Sequence, residues 1–250
     1  MNQSKENMSN LLVKIAKQRF NNSSSQIVHF VENEEANAFL NDLGTYPHAY
    51  VLACLMDRQI KAERAWIIPF KVYKEFGSFS IDSLTNISLT ELIEFFNKKK
   101  LHRFNDQMAE IFYLGIHDIV NKYKGNASNI WSGIPSSSSV VYKFLEFKGS
   151  GIKISTMAAN ILARQFRIPF SDFYSIDISP DVHIKRVMKR MGLIPPDANN
   201  DMIIYKAREL NPDFPGIIDF SCWEIGRNWC KPKAPLCSEC IINSDCKKII

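Results

Sequence analysis

Cys230-Lys231-Pro232-Lys233-Ala234-Pro235-Leu236-Cys237-Ser238-Glu239-Cys240-Ile241-Ile242-Asn243-Ser244-Asp245-Cys246 carries four cysteines in the spacing C-x6-C-x2-C-x5-C. All four fall within seventeen residues, a loop too short to build an apolar core of its own. Thiolates this dense select zinc or an iron–sulfur cluster, and one such centre could hold the loop in a single shape. The competing reading is a metal-free disulfide knot. Such knots suit small secreted domains. This chain opens with the polar stretch MNQSKENMSN and shows no signal-peptide pattern. The spacing therefore predicts a metal or cluster, with zinc and iron–sulfur both open at this point.

Working outward, 250 residues allow one large domain or two small ones, and 46% apolar content is enough for a sizeable core. No apolar run approaches the roughly 18 residues of a membrane helix. A net charge of +5 permits nucleic-acid binding without requiring it. Cys54 lies in the apolar run Tyr50–Met56, and Cys222 shares a helical face with Ile218 and Ile225. Both read as small buried hydrophobes.

Helical periodicity dominates the chain, and no repeat stands out. Helices are expected over Leu11–Phe20, Glu34–Leu40, Tyr46–Met56, Gln59–Phe76, Leu89–Lys98 and Asp106–Tyr123, with a break at Ser23–Ser25. Pro135 and Ser136–Ser139 mark a stop and a capped restart into Val140–Phe147. Ile154, Met157, Ala158, Ile161 and Leu162 repeat at helical spacing. After a loop at Pro169–Ser179, a helix begins near Pro180-Asp181 and ends at Gly192. Asn199-Asn200 reads as a turn, and a last helix over Ile217–Asn228 runs into the cysteine loop.

Two further constellations bear on chemistry. Lys148-Gly149-Ser150-Gly151-Ile152-Lys153 joins two helices. Its glycines let the backbone turn tightly, and the next helix N-terminus offers unpaired N–H groups, so the unit suits an anion such as a DNA phosphate. An ordinary helix turn is the plain alternative. Lys153 stands at that helix start. Burial and the helix N-terminus would disfavour its charge and free the amine to attack a carbon centre. A solvated or phosphate-binding lysine is the plain alternative. Asp181 reads as an N-cap that could also aim a carboxylate at a reacting group, and Asp177 is its rival. Lys185, Arg186, Lys189 and Arg190 form a basic face on the same helix.

These parts, in this order, resemble the endonuclease III branch of the helix-hairpin-helix DNA glycosylases, over roughly Tyr46 to Cys246. The cysteine spacing is similar to that family's iron–sulfur spacing, entered through Ile225-Gly226-Arg227-Asn228-Trp229-Cys230. The resemblance implies a 4Fe–4S cluster on Cys230, Cys237, Cys240 and Cys246. It sets the family's catalytic lysine on Lys153 and its catalytic aspartate on Asp181, within Asp181-Val182-His183-Ile184-Lys185-Arg186-Val187. Leu55-Met56-Asp57-Arg58-Gln59 resembles the segment whose glutamine fills the gap left by a flipped base, which falls on Gln59. The chain departs from the pattern in three places. Lys148 replaces a proline, with Ile152 and Ile154 beside the lysine. Lys153 and Asp181 are separated by an insertion near residues 169–179. The first 45 residues have no counterpart.

The implied fold is all-α and two-lobed. A helical barrel-like domain over residues 46–168 ends in the hairpin, and residues 1–45 and 169–250 form a cluster domain, with a cleft for the damaged nucleotide. The implied activity is base excision with abasic-site lyase chemistry on a monomer's complex with damaged or abasic duplex DNA, in the cytoplasm and away from membranes. Gly149, Gly151, Lys231 and Lys233 would hold DNA. Two rivals are a glycosylase that removes a base without cutting the strand, and a DNA-binding iron–sulfur protein without catalysis.

Overall fold

The computed structural model describes residues 2–22 and 27–249; the break expected at Ser23–Ser25 lies outside them. The described residues are all-α, without a strand. In chain order the helices are α1 (Asn2–Asn22), α2 (Glu34–Asn41), α3 (Pro47–Met56), α4 (Ala62–Trp66), α5 (Ile68–Phe76), α6 (Ile81–Thr85) and α7 (Leu89–Lys99). They continue with α8 (Asn105–Tyr123), α9 (Ser137–Leu145), α10 (Ile152–Arg164), α11 (Val182–Arg190), α12 (Asn200–Leu210) and α13 (Asp219–Asn228). No helix among the described residues is long and apolar enough to cross a membrane.

The chain divides into two compact units. One comprises Gln26–Pro135 and Tyr142–Ala158; the other comprises Met1–Ser25, Ser136–Val141 and Ala159–Ile250. These bounds differ from a division at Tyr46 and Ile168. The cause at the first boundary is local. Asn37 accepts the N–H groups of Phe30 and Val31, Asn41 accepts that of Val28, and α2 packs on α3 and α5. Residues 28–45 thus belong with α3.

In the first unit, every residue of α3 is buried. A helix buried on every face, with His48 and Tyr50 bonded to backbone carbonyls, needs neighbours on all sides. Helix α8 supplies one of them across Gly115, where an added Cβ would stand 3.0 Å from side-chain carbons of Leu52 and Leu55. The Tyr50 hydroxyl donates to the Ala158 carbonyl at 2.8 Å, which ties α3 to α10. Helix α7 opens with a capping box of Ser88 and Glu91.

Where the helices differ from expectation, local chemistry explains it. The stretch Gln59–Phe76 is not one helix. Gln59 takes a left-handed φ of 54°, and Pro69, in the first turn of α5, lacks the N–H a continuous helix would need. Asn199-Asn200 is not a free turn but the start of α12, because the Asn199 side chain accepts the Met202 N–H at 2.9 Å. Asparagine favours both turns and N-caps, so that boundary is ambiguous in sequence.

In the second unit, α11 packs on α13 and α1 packs on the turn Pro215–Ile218 and on α13. Arg19 of α1 pairs with Glu224 of α13. The insertion is fastened through its middle. Phe173 stacks on Phe214 at 5.0 Å between centroids, and the Ser137 hydroxyl accepts the Ser175 N–H while donating to Asp172.

Candidate functional site

The hairpin turn lies in the first unit. Ser136 caps α9 by accepting the Ser139 N–H at 3.2 Å. The chain then turns at Gly149, whose φ is +85°, and enters α10 at Ile152. The two glycines do different work. At Gly149 an added Cβ would stand 2.7 Å from Ile111 Cδ1 and 3.1 Å from Arg58 Nη1, so this position admits glycine for both backbone and space. Gly151 has an ordinary φ, and nothing within 4 Å would meet a Cβ there. Its missing side chain leaves open surface at the helix N-terminus, where a backbone could approach a ligand. Ser150 and Ser155 bond to each other through their hydroxyls at 2.9 Å, closing the turn onto the first turn of α10.

Lys153 is the second residue of α10 and is exposed. The burial expected of it is thus not found. Gln59 is also exposed, in the left-handed region that costs a side-chain-bearing residue about 1 kcal/mol. Its neighbour Arg58 reaches Gly149, so the Gln59 loop and the hairpin adjoin within one unit. Nothing in the helical periodicity singled out Arg58; its nearness to the hairpin is purely tertiary.

Asp181, in the second unit, is the N-cap of α11. Its Oδ1 accepts the N–H groups of His183 and Ile184, each at 2.8 Å. The rival Asp177 is otherwise engaged. Its buried carboxylate is gripped by Arg208, Nε to Oδ1 and Nη2 to Oδ2 both at 2.7 Å. That pair raises the guanidinium of Arg208 further above its already high range. A second acid near Asp181 went unnoticed in sequence: Asp219 accepts the Ser179 N–H at 2.8 Å. Burial pushes its carboxyl up to about 6, helped by the charge of Asp181 and opposed by Ser179 and Arg164.

The cysteine loop leaves α13 at its C-terminus. Cys230, Cys237, Cys240 and Cys246 line one cavity with Arg190 and Ile242, and all four are free thiols. Arg190 Nη1 donates to Cys230 Sγ at 3.4 Å, and the Lys248 N–H donates to Cys246 Sγ at 3.4 Å. Burial raises the thiols of Cys240 and Cys246 above the ordinary cysteine value, with neighbouring cysteines adding to it. Among the described residues, no group of three or more His, Cys, Asp or Glu side chains is arranged to hold a metal ion. The donor set nevertheless fits a four-thiolate centre. Four unbridged soft sulfurs share one cavity, and N–H donors already point at two of them. The loop's edge is basic. Lys231 and Lys233 are exposed, and the Lys231 amine donates to the Arg227 carbonyl.

No protein-family model matches the chain. Endonuclease III of Thermotoga maritima is 31% identical over 70 residues, a stretch that covers 28% of this chain and 33% of the relative. The chain thus matches about a third of that relative's length. Solved structures match almost throughout. A non-covalent endonuclease III–DNA complex superposes with a TM-score of 0.63 at 17% identity, covering 98% of this chain and 95% of that one. A trapped endonuclease III–DNA covalent intermediate gives 0.62 at 17% identity, covering 98% and 96%. A thermostable thymine-DNA glycosylase gives 0.63 at 14% identity, covering 97% of each chain. The chain has the fold of the endonuclease III-like helix-hairpin-helix DNA glycosylases.

Proposed function

We propose that this protein is a base-excision DNA glycosylase with abasic-site lyase activity, acting as a monomer on duplex DNA that carries an oxidised or otherwise damaged base. The observation that carries this reading is a lysine in the first turn of the hairpin helix, Lys153, and an aspartate capping α11, Asp181, on a fold shared over 98% of the chain with endonuclease III bound to DNA.

The anomeric carbon of a stacked nucleotide is out of reach, so the nucleotide must leave the helix. Gln59, held out by its left-handed backbone, fills the vacancy. Gly149, Gly151 and the first turn of α10 bind a backbone phosphate. The Lys153 amine attacks the anomeric carbon, the bond to the base breaks, and the base departs. Loss of the ring oxygen bond then leaves an imine between Lys153 and the opened sugar. Asp181 takes up the amine's proton and offsets positive charge on the sugar. Its Oδ1 is committed to the cap, which leaves Oδ2 for that task. The imine acidifies the adjacent sugar proton, and elimination cuts the strand.

Cys230, Cys237, Cys240 and Cys246 would hold a 4Fe–4S cluster. When bound, such a cluster supplies a four-point anchor for the loop and a redox couple. Lys231 and Lys233 then lie along the DNA backbone.

Borohydride reduction on an abasic duplex tests the reading. Wild-type protein should form a covalent adduct, and Lys153→Ala should form none while still binding. Asp181→Asn should fold and accumulate adduct about a hundredfold more slowly. On a duplex that carries a damaged base, base release without an adduct would point to a glycosylase that does not cut the strand. Binding with neither would point to a non-catalytic DNA-binding protein.

A further inference from the structure

Helix α13 grips the chain on both sides of Asp181. Asp219 lies in its first turn, and its Oδ2 accepts the N–H of Ser179, a buried residue two positions before Asp181. Pro180 stands between Ser179 and Asp181 and fixes one of the two intervening torsions. Seven residues along α13 is Gly226, on the same helical face. A Cβ there would stand 2.7 Å from His183 Cβ and 3.1 Å from its Cα. His183 is two positions after Asp181 and gives its N–H to the Asp181 carboxylate. One face of one helix therefore sets both flanks of the N-cap.

We propose that Asp219 is a positioning residue for Asp181: by holding the Ser179 peptide against α13, while Gly226 admits His183 on the other side, it sets the direction in which Asp181 presents its free carboxylate oxygen. The inference rests on the reading that Asp181 does acid–base work.

A plain structural acid would sit outward or pair fully with a base. Asp219 does neither. The residue keeps some surface, but its carboxyl points into the unit. The groups facing it are Ser179 on the preceding segment, Asp181 at the cap of α11, Arg164 from α10 and Cys222 on its own helix. Arg164 is half-buried and stacks over Phe220 at 4.2 Å, and its buried Nε has no hydrogen-bond partner. The acid is therefore spent on a backbone N–H beside Asp181 rather than on the nearest guanidinium.

Four variants of the intact protein test this in single-turnover borohydride trapping, alongside DNA-binding measurements. Asp219→Ala removes the acceptor and should slow adduct formation about tenfold or more, the scale expected when a reacting group is misaimed, with affinity held within about twofold. Asp219→Asn keeps an acceptor for the Ser179 N–H, so it should recover most of the rate. An Asp219→Ala rate equal to wild type, or an Asp219→Asn as slow as Asp219→Ala, overturns the proposal. Asp181→Asn is run in parallel. If it is slow and Asp219→Ala is not, only the positioning role fails; if it runs at the wild-type rate, the acid–base reading fails and this inference falls with it. Should Asp219→Ala not fold, Gly226→Ala pushes on His183 from the other flank. A slowed rate with binding retained supports the grip, and a wild-type rate overturns it.

Discussion

Asp177 and Arg208 meet through two parallel bonds of 2.7 Å, with the carboxylate buried and the guanidinium partly open to solvent. The pair fastens the insertion to α12. Replacing Asp177 by Asn breaks one of the two bonds and unpairs the cation. Denaturant unfolding should show a loss of roughly 2–3 kcal/mol, the scale of hydrogen bonds between charged groups. Adduct formation at a temperature where the variant is folded should stay near the wild-type rate. A larger catalytic than stability defect would return Asp177 to candidacy as the acid.

Asp219 carries a pH signature in stability. Its folded carboxyl titrates near 6, against 3.8 for the ordinary group. The folded state thus holds the proton more tightly, and ionising this group opposes folding. Its contribution is most favourable below about pH 4 and is lost as pH rises toward 6. In Asp219→Asn that loss is absent. Relative to wild type, the variant should gain up to about 3 kcal/mol between pH 4 and pH 7 in unfolding free energy. A stability difference flat across that range would show that the carboxyl titrates normally.

Gly149 and Arg58 give a paired test of the hairpin. Gly149→Ala meets a φ of +85° and a contact of 2.7 Å to Ile111 Cδ1. It should cost about 1–2 kcal/mol in stability from the backbone alone, and it should weaken DNA binding by displacing the turn. Arg58→Ala removes a guanidinium beside that turn and leaves the backbone intact. It should keep stability within about 0.5 kcal/mol and lower the salt slope of DNA binding by roughly one unit. An unchanged slope would separate Arg58 from the phosphate.

The cysteine loop is tested by its ligands and its lysines together. Aerobically stable protein purified without added zinc should be brown and hold about four irons per chain. Cys237→Ser should lower both iron content and loop protection in hydrogen exchange. Changing Lys231 and Lys233 to Ala together should reduce the salt slope by roughly two units if each neutralises one phosphate. Stoichiometric zinc in place of iron would replace the cluster by a mononuclear centre.

By itself the sequence determined what depends on neighbours along the chain. Helical periodicity sets the all-α class, because the apolar spacing of α10 and α11 is local. The serine before α9 and the aspartate before α11 are caps, because an N-cap bonds to N–H groups two and three residues on. The thiol spacing brings four sulfurs to one cavity, because so short a loop leaves little other choice. Tertiary structure decided what depends on groups far apart in sequence. The family resemblance favours Asp181 over Asp177, but that Arg208, thirty-one residues on, engages Asp177 was not legible in the sequence. Arg58 meets Gly149 and Asp219 meets Ser179 across ninety-one and forty residues, distances over which no periodic pattern carries information. The exposure of Lys153 belongs to the same class. Position at a helix start is written in the sequence, but the water around an amine is set by whatever else packs there, and only the folded chain decides that.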